Sequence, residues 1–199
     1  MRGSLMVGSL AVLLAVLLAS APAAAQVPLV PWALSIAGGL ELPQGEGGTL
    51  FNQGLTAQLG YRLGIPLTPF AVRAEAGVSR FASNAGVTIA GRALTASGQT
   101  QVLSAGGAAE MTVLPLIVFR GYVVVGASYT RATGDFRIGT ASVAPVEETG
   151  MGYSAGIGAE FRLPFLPAAG IEARYRYTPN ALGGLAGLRS IPITARVTF

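Results

Sequence analysis

Charged residues in this chain recur two positions apart, and that spacing constrains the fold more than any other feature. Arg73 and Glu75, Glu160 and Arg162, and Glu172, Arg174 and Arg176 each keep one parity, while apolar or small residues fill the positions between them. A period of two sends alternate side chains to opposite faces of an extended strand. Each of these segments therefore reads as a strand with one charged and one apolar face. The second segment sets Leu55, Ala57, Leu59, Tyr61 and Leu63 against Thr56, Gln58, Gly60 and Arg62. The third sets Phe70, Val72, Ala74, Ala76 and Val78 against Arg73, Glu75, Gly77 and Ser79.

Eight such segments follow one another: Trp32–Leu42, Phe51–Leu63, Pro69–Phe81, Gln99–Val113, Ile117–Arg131, Thr149–Leu163, Gly170–Thr178 and Ser190–Phe199. Most reach the 9–11 residues that a tilted membrane strand needs, against about 5–6 for a soluble strand. The breaks alternate in length. Residues 64–68, 114–116 and 164–169 are short and contain proline, whereas 44–50, 82–98, 132–148 and 179–189 are longer. Hydrophobic residues make up 51% of the chain, yet beyond its first twenty-odd residues no apolar run approaches the roughly 20 residues of a spanning helix. Charged residues make up only 11%, against about 25% in ordinary soluble domains.

The start of the chain reads as a secretory leader. Arg2 precedes an apolar stretch with its core at 10–19, and Ala23-Ala24-Ala25 supplies small residues for cleavage before Gln26. The expected organisation is a signal peptide over 1–25 and one β-barrel domain over 26–199.

Alternation by itself also suits a soluble barrel that is apolar inside. Three features favour the reverse. Aromatic residues sit at the ends of the apolar face: Trp32, Tyr61, Phe70, Phe119, Phe161 and Phe199 at one end, and Tyr129, Tyr153 and Tyr177 at the other. Such girdles mark membrane interfaces. The polar face mixes Arg and Glu with many Gly, Ser and Ala, as a narrow packed lumen requires. A water-exposed face would also carry more charge. The sequence thus predicts an all-β fold, a closed antiparallel eight-stranded up-and-down transmembrane barrel. Closure follows because lipid cannot satisfy an open sheet edge.

The chain ends with Ile193, Ala195, Val197 and Phe199 at alternate positions. This terminal pattern looks like the signal read by outer-membrane assembly machinery. With the leader and the eight strands, residues 26–199 resemble the small outer-membrane barrels of the OmpA transmembrane-domain, OmpX and OmpW type. The resemblance rests on pattern rather than on a family-specific motif. It implies an outer-membrane location, outer-membrane lipids as surroundings and insertion by Bam-type machinery. Two departures are expected: a barrel without the peptidoglycan-binding domain of full-length OmpA, and Pro192 in the last strand, where it removes a ladder hydrogen bond.

The inward parity collects Glu41, Arg62, Arg73, Glu75, Glu110, Arg120, Glu160, Arg162, Glu172, Arg174, Arg176 and Arg196. Glu75, Glu110, Glu160 and Glu172 are expected to interleave with Arg73, Arg120, Arg174 and Arg196, arginine being suited to bidentate pairing with carboxylates. Beyond this layer the inward residues are mostly small, including Gly77, Thr100, Ser104, Gly106, Ser128 and Ser154, and a cavity open to the outside is expected there. Arg80 and Arg131 fall on the outward parity at the outer rim, where lipid phosphates or solvent could meet them.

Two functional readings follow. One is a plugged barrel with a structural, membrane-integrity or surface-interaction role; the other is a narrow OmpW-like pore for small solutes or ions. The charged lumen favours the first. The chain has no histidine and no cysteine, which removes Ser–His–Asp catalysis and histidine or thiolate metal sites. No enzymatic activity, cofactor or metal is expected. The basic residues are all arginine and the formal charge is +4. Because most of them are assigned to the lumen, no nucleic-acid face is expected, and a monomer is.

Overall fold

The computed structural model describes residues 32–45, 48, 51–89, 92–138, 141–142, 146–179 and 187–199. The expected leader at 1–25 lies outside the described residues. Nine strands are present among the described residues: β1 (Trp32–Gln44), β2 (Gly54–Gly64), β3 (Phe70–Ile89), β4 (Arg92–Pro115), β5 (Phe119–Ile138), β6 (Ala141–Ser142), β7 (Val146–Phe161), β8 (Ala168–Thr178) and β9 (Leu188–Thr198). Strand β6 is a two-residue extension paired only to the tip of β5. The other eight form the barrel. Each pairs antiparallel with its neighbour, and β1 closes on β9 from Ser35↔Thr198 to Gln44↔Arg189. Phe199 continues this seam just past β9, exchanging backbone hydrogen bonds with Leu34.

Burial alternates along the wall as the residue pattern requires. In β9, Ser190, Pro192, Thr194, Arg196 and Thr198 are buried in the lumen, while Ile193, Ala195 and Val197 face outward. The outward face carries the large apolar side chains, among them Leu55, Leu59, Val72, Val125, Ile157 and Ile171. In a water-soluble protein so continuous an apolar surface would be a liability; in a bilayer it is the solvated face.

Segments 82–98 and 132–148, expected as loops, are largely strand. β3 and β4 stay in register up to Ile89↔Arg92, and β4 and β5 up to Ala96↔Ile138. With 24 residues, β4 is more than twice the length a membrane strand needs. The extensions are rich in Gly, Ser, Thr and Ala and carry only short apolar alternations, Val87/Ile89 in β3 and Phe136/Ile138 in β5. The long hairpins project from one end of the barrel, and the three short turns occupy the other.

Pro192 leaves a local defect. The β8–β9 register runs from Ala168↔Thr198 to Ala173↔Ile193 and resumes only at Arg176↔Ser190. On the opposite side Pro192 still pairs with Glu41 of β1. The missing N–H therefore falls on the β8 side of the wall.

Candidate functional site: three tiers that close the lumen

The tier nearest the short turns is ionic. Glu110 sits at its β4–β5 side, accepting from Arg62 Nε at 2.9 Å and Arg120 Nη1 at 2.6 Å, and pairing with Arg73. Arg62 and Arg73 are direct cross-strand partners, a like-charge arrangement that is unfavourable by itself. Glu110 binds both and offsets that repulsion. Arg120 also donates to Glu160 at 2.9 Å, its cross-strand partner on β7, and Glu160 takes Arg162 Nε at 2.6 Å.

Glu172 of β8 anchors the other side. It accepts from Arg73 Nη1 at 2.7 Å, Arg174 Nε at 2.5 Å, Arg196 Nη2 at 2.9 Å and the Tyr122 hydroxyl at 2.8 Å. Arg174 turns its two terminal nitrogens to Glu75, each at 2.6 Å, a bidentate fork. The Tyr122 ring lies between Arg73 and Arg120, with guanidinium carbons 4.8 and 4.9 Å from its centroid. The ring thus joins the two halves of the tier through cation–π contacts. Room for it comes from its cross-strand partner Gly158, where any Cβ would collide with the phenol.

A second tier lies farther from the short turns. Glu41 accepts from Ser190 Oγ at 2.6 Å and Arg176 Nη1 at 3.3 Å, and also takes a hydrogen bond from Ser79. Between the tiers is a cavity of about 30 Å³, lined among others by Gln58, Gly77, Ser104, Ser128, Ser154 and Arg176. That volume holds one or two waters and no larger guest.

The third tier corrects the expectation of an open outer cavity. Phe51, Phe81, Val102, Ala132 and Leu188 form a buried apolar cluster, and the Phe51 and Phe81 rings lie 6.0 Å apart. Phe81, Val102, Ala132 and Leu188 continue the inward parity of their strands. A reading that assigned large apolar residues to the lipid face had no way to detect them.

On the outer wall, Trp32, Tyr61, Phe70, Phe161, Tyr129 and Tyr153 are exposed, and Phe119, Tyr177 and Phe199 are partly covered. Trp32 stacks on Tyr61 at 6.3 Å, Phe119 is the cross-strand partner of Phe161, and Arg189 lies over the Tyr177 ring. Ile193, Ala195 and Val197 face outward on β9. Arg131 pairs with Glu147 at 2.8 Å, and Arg80 is exposed. No cluster of metal-ligating residues occurs among the described residues.

The family described as outer membrane protein beta-barrel domain matches residues 11–188. The chain belongs to this family. As an outer-membrane protein β-barrel it is placed in the outer membrane, with its apolar wall toward lipid. No curated protein matches it in sequence.

Solved structures agree on the fold. Neisserial surface protein A superposes with a TM-score of 0.63 at 13% identity, covering 86% of this chain and 98% of that one. A major outer membrane protein from Thermus thermophilus gives 0.53 at 13% identity, covering 85% and 100%. Ail, the attachment invasion locus protein of Yersinia pestis, in complex with the heparin analogue sucrose octasulfate, gives 0.50 at 17% identity, covering 84% and 97%. The family's short turns face the periplasm, which puts the long β3–β4 and β5–β7 hairpins at the cell surface.

Proposed function

We propose that this barrel is a non-conducting, structural protein of the outer membrane that holds a projecting β-sheet at the cell surface. The observation that carries the reading is the lumen, which is filled in three successive tiers. An ion crossing it would have to part the Arg73–Glu172 and Arg120–Glu110 pairs, pass a water-sized cavity and then cross the Phe51–Phe81 cluster. Buried pairs hold their partners tightly, because separating them leaves a desolvated charge. The long β3, β4 and β5 extensions support a surface-interaction role. The protein's surroundings in this reading are outer-membrane lipids and, during insertion, the Bam-type machinery; it acts as a monomer and catalyses no reaction.

Planar-bilayer recording of the folded protein tests the proposal. Silent bilayers are expected. Reproducible conductance steps that change with Arg120→Ala would overturn it in favour of a narrow gated pore.

A further inference from the structure

The three short turns carry the most exposed large apolar residues of the described chain. Leu67 is 107% exposed, Phe165 104% and Ile117 97%. The turns repeat one motif: Ile65-Pro66-Leu67-Thr68-Pro69 between β2 and β3, and Leu163-Pro164-Phe165-Leu166-Pro167 between β7 and β8. Each closes with a backbone hydrogen bond from its fourth to its first residue, Thr68 N to Ile65 O at 3.2 Å and Leu166 N to Leu163 O at 3.3 Å. Proline at the second position and positive φ at the third define a type II turn, whose third position normally needs glycine or asparagine. Here it holds Leu67 at φ 63° and Phe165 at φ 68°.

A bulky side chain in the left-handed region is strained. The sequence accepts that strain twice, at the two most exposed large apolar residues among those described. In water, glycine would remove both the strain and the exposed apolar surface. The third turn, Leu114-Pro115-Leu116-Ile117-Val118, adds Ile117 at its tip and again contains no charge.

Prolines and local hydrogen bonds account for part of the backbone of the turns. Pro66, Pro69, Pro115, Pro164 and Pro167 have no N–H. In the first turn Ile65 N donates to Phe70 O at 2.9 Å, Thr68 Oγ1 donates to Ile65 O at 3.0 Å, and Phe70 N donates to Thr68 Oγ1 at 3.3 Å. Leu116 N donates to Phe119 O at 2.9 Å.

We propose that these three turns are seated in the periplasmic leaflet, with Leu67, Ile117 and Phe165 reaching from the barrel rim into the lipid interface. The lipid surface is favoured over a protein partner because the tips adjoin the outward aromatic residues Phe70, Phe119 and Phe161, and so continue the lipid-facing wall. They also arise from three separate hairpins distributed around the barrel rather than from one groove.

The test uses the full chain folded into phosphatidylcholine vesicles, with Trp32→Phe removing the single native tryptophan and Leu67→Trp, Ile117→Trp or Phe165→Trp reporting each tip. Blue-shifted emission, strong quenching by brominated phosphatidylcholine and protection from iodide are expected at all three. Red-shifted, iodide-accessible emission at the tips would overturn the proposal. Leu67→Asn and Phe165→Asn provide a second arm, since asparagine tolerates the left-handed backbone. Both are expected to lower the folded-to-unfolded ratio in vesicles by about tenfold or more, from lost apolar contact. An unchanged or raised ratio, the result for tips in water, would refute lipid seating.

Discussion

Glu172 offers the sharpest perturbation. Its carboxylate receives Arg73, Arg174 and Arg196 together with the Tyr122 hydroxyl, and its side chain is almost wholly buried. In Glu172→Gln, Arg73 keeps Glu110 and Arg174 keeps its fork on Glu75. Arg196 keeps a hydrogen bond to Ser35 Oγ at 3.3 Å but, among carboxylates, only a 4.0 Å approach to Glu75. One buried charge is therefore stranded rather than three, and the expected loss is about 3–5 kcal/mol. That is roughly two to nearly four orders of magnitude in the folded-to-unfolded ratio. Adding Arg196→Met removes the stranded charge and is expected to recover about 1–3 kcal/mol, a coupling that a double-mutant cycle isolates. The assay is equilibrium urea unfolding in lipid vesicles, read from Trp32, the single tryptophan, which stands exposed on the outer wall and stacked on Tyr61. Glu147→Gln, which breaks the exposed pair with Arg131, serves as the control and should leave the midpoint nearly unchanged. A Glu172→Gln loss below about 1 kcal/mol, with no coupling to Arg196, would mean that water screens the tier, and would refute the argument from burial.

Two further outcomes follow from particular contacts. Gly158→Ala is expected to destabilise the barrel by about 1–3 kcal/mol, since its methyl group would overlap the Tyr122 ring; the same urea assay measures it. The Arg174 amide, which faces Pro192 across the gap in the β8–β9 ladder, should exchange with deuterium faster than those of Leu40 and Leu42 on β1, and Pro192→Thr should slow it; equal rates in the parent protein would show that the gap is not a weak seam.

The barrel was legible in the sequence because its charges are spaced by two. Arg73 and Glu75, or Glu172 and Arg174, cannot lie on a lipid face, so each pair sets the phase of its whole strand. The same logic places Glu75, Glu110, Glu160 and Glu172 among their arginines. It failed where no such penalty operates. Along the extensions of β3 and β4, serine, threonine, glycine and alanine stand on both parities and only Val87/Ile89 alternate, too short a run to set the phase of a strand. Phe51 and Phe81 were missed for the opposite reason: polarity labels a face by its surroundings, and beyond the Glu41 tier the lumen itself becomes apolar. The hub role of Tyr122 depends on the vacancy at Gly158, which only the β5–β7 register reveals.

The ion pairs of the first tier have a consequence for assembly. Arg73 and Glu172 are separated by 99 positions, as are Glu75 and Arg174, and Arg196 arrives on the last strand. A nascent sheet containing β1 to β7 would therefore carry Arg73 and Glu75 toward a lumen that does not yet hold Glu172 or Arg174. Those side chains must stay hydrated until β8 and β9 close against β1. Closure and drying of the interior then become one cooperative event, and a partly zipped intermediate is penalised in lipid by its own unmatched charges. The plug is in this sense a completion check, satisfied only when every strand has been delivered in register.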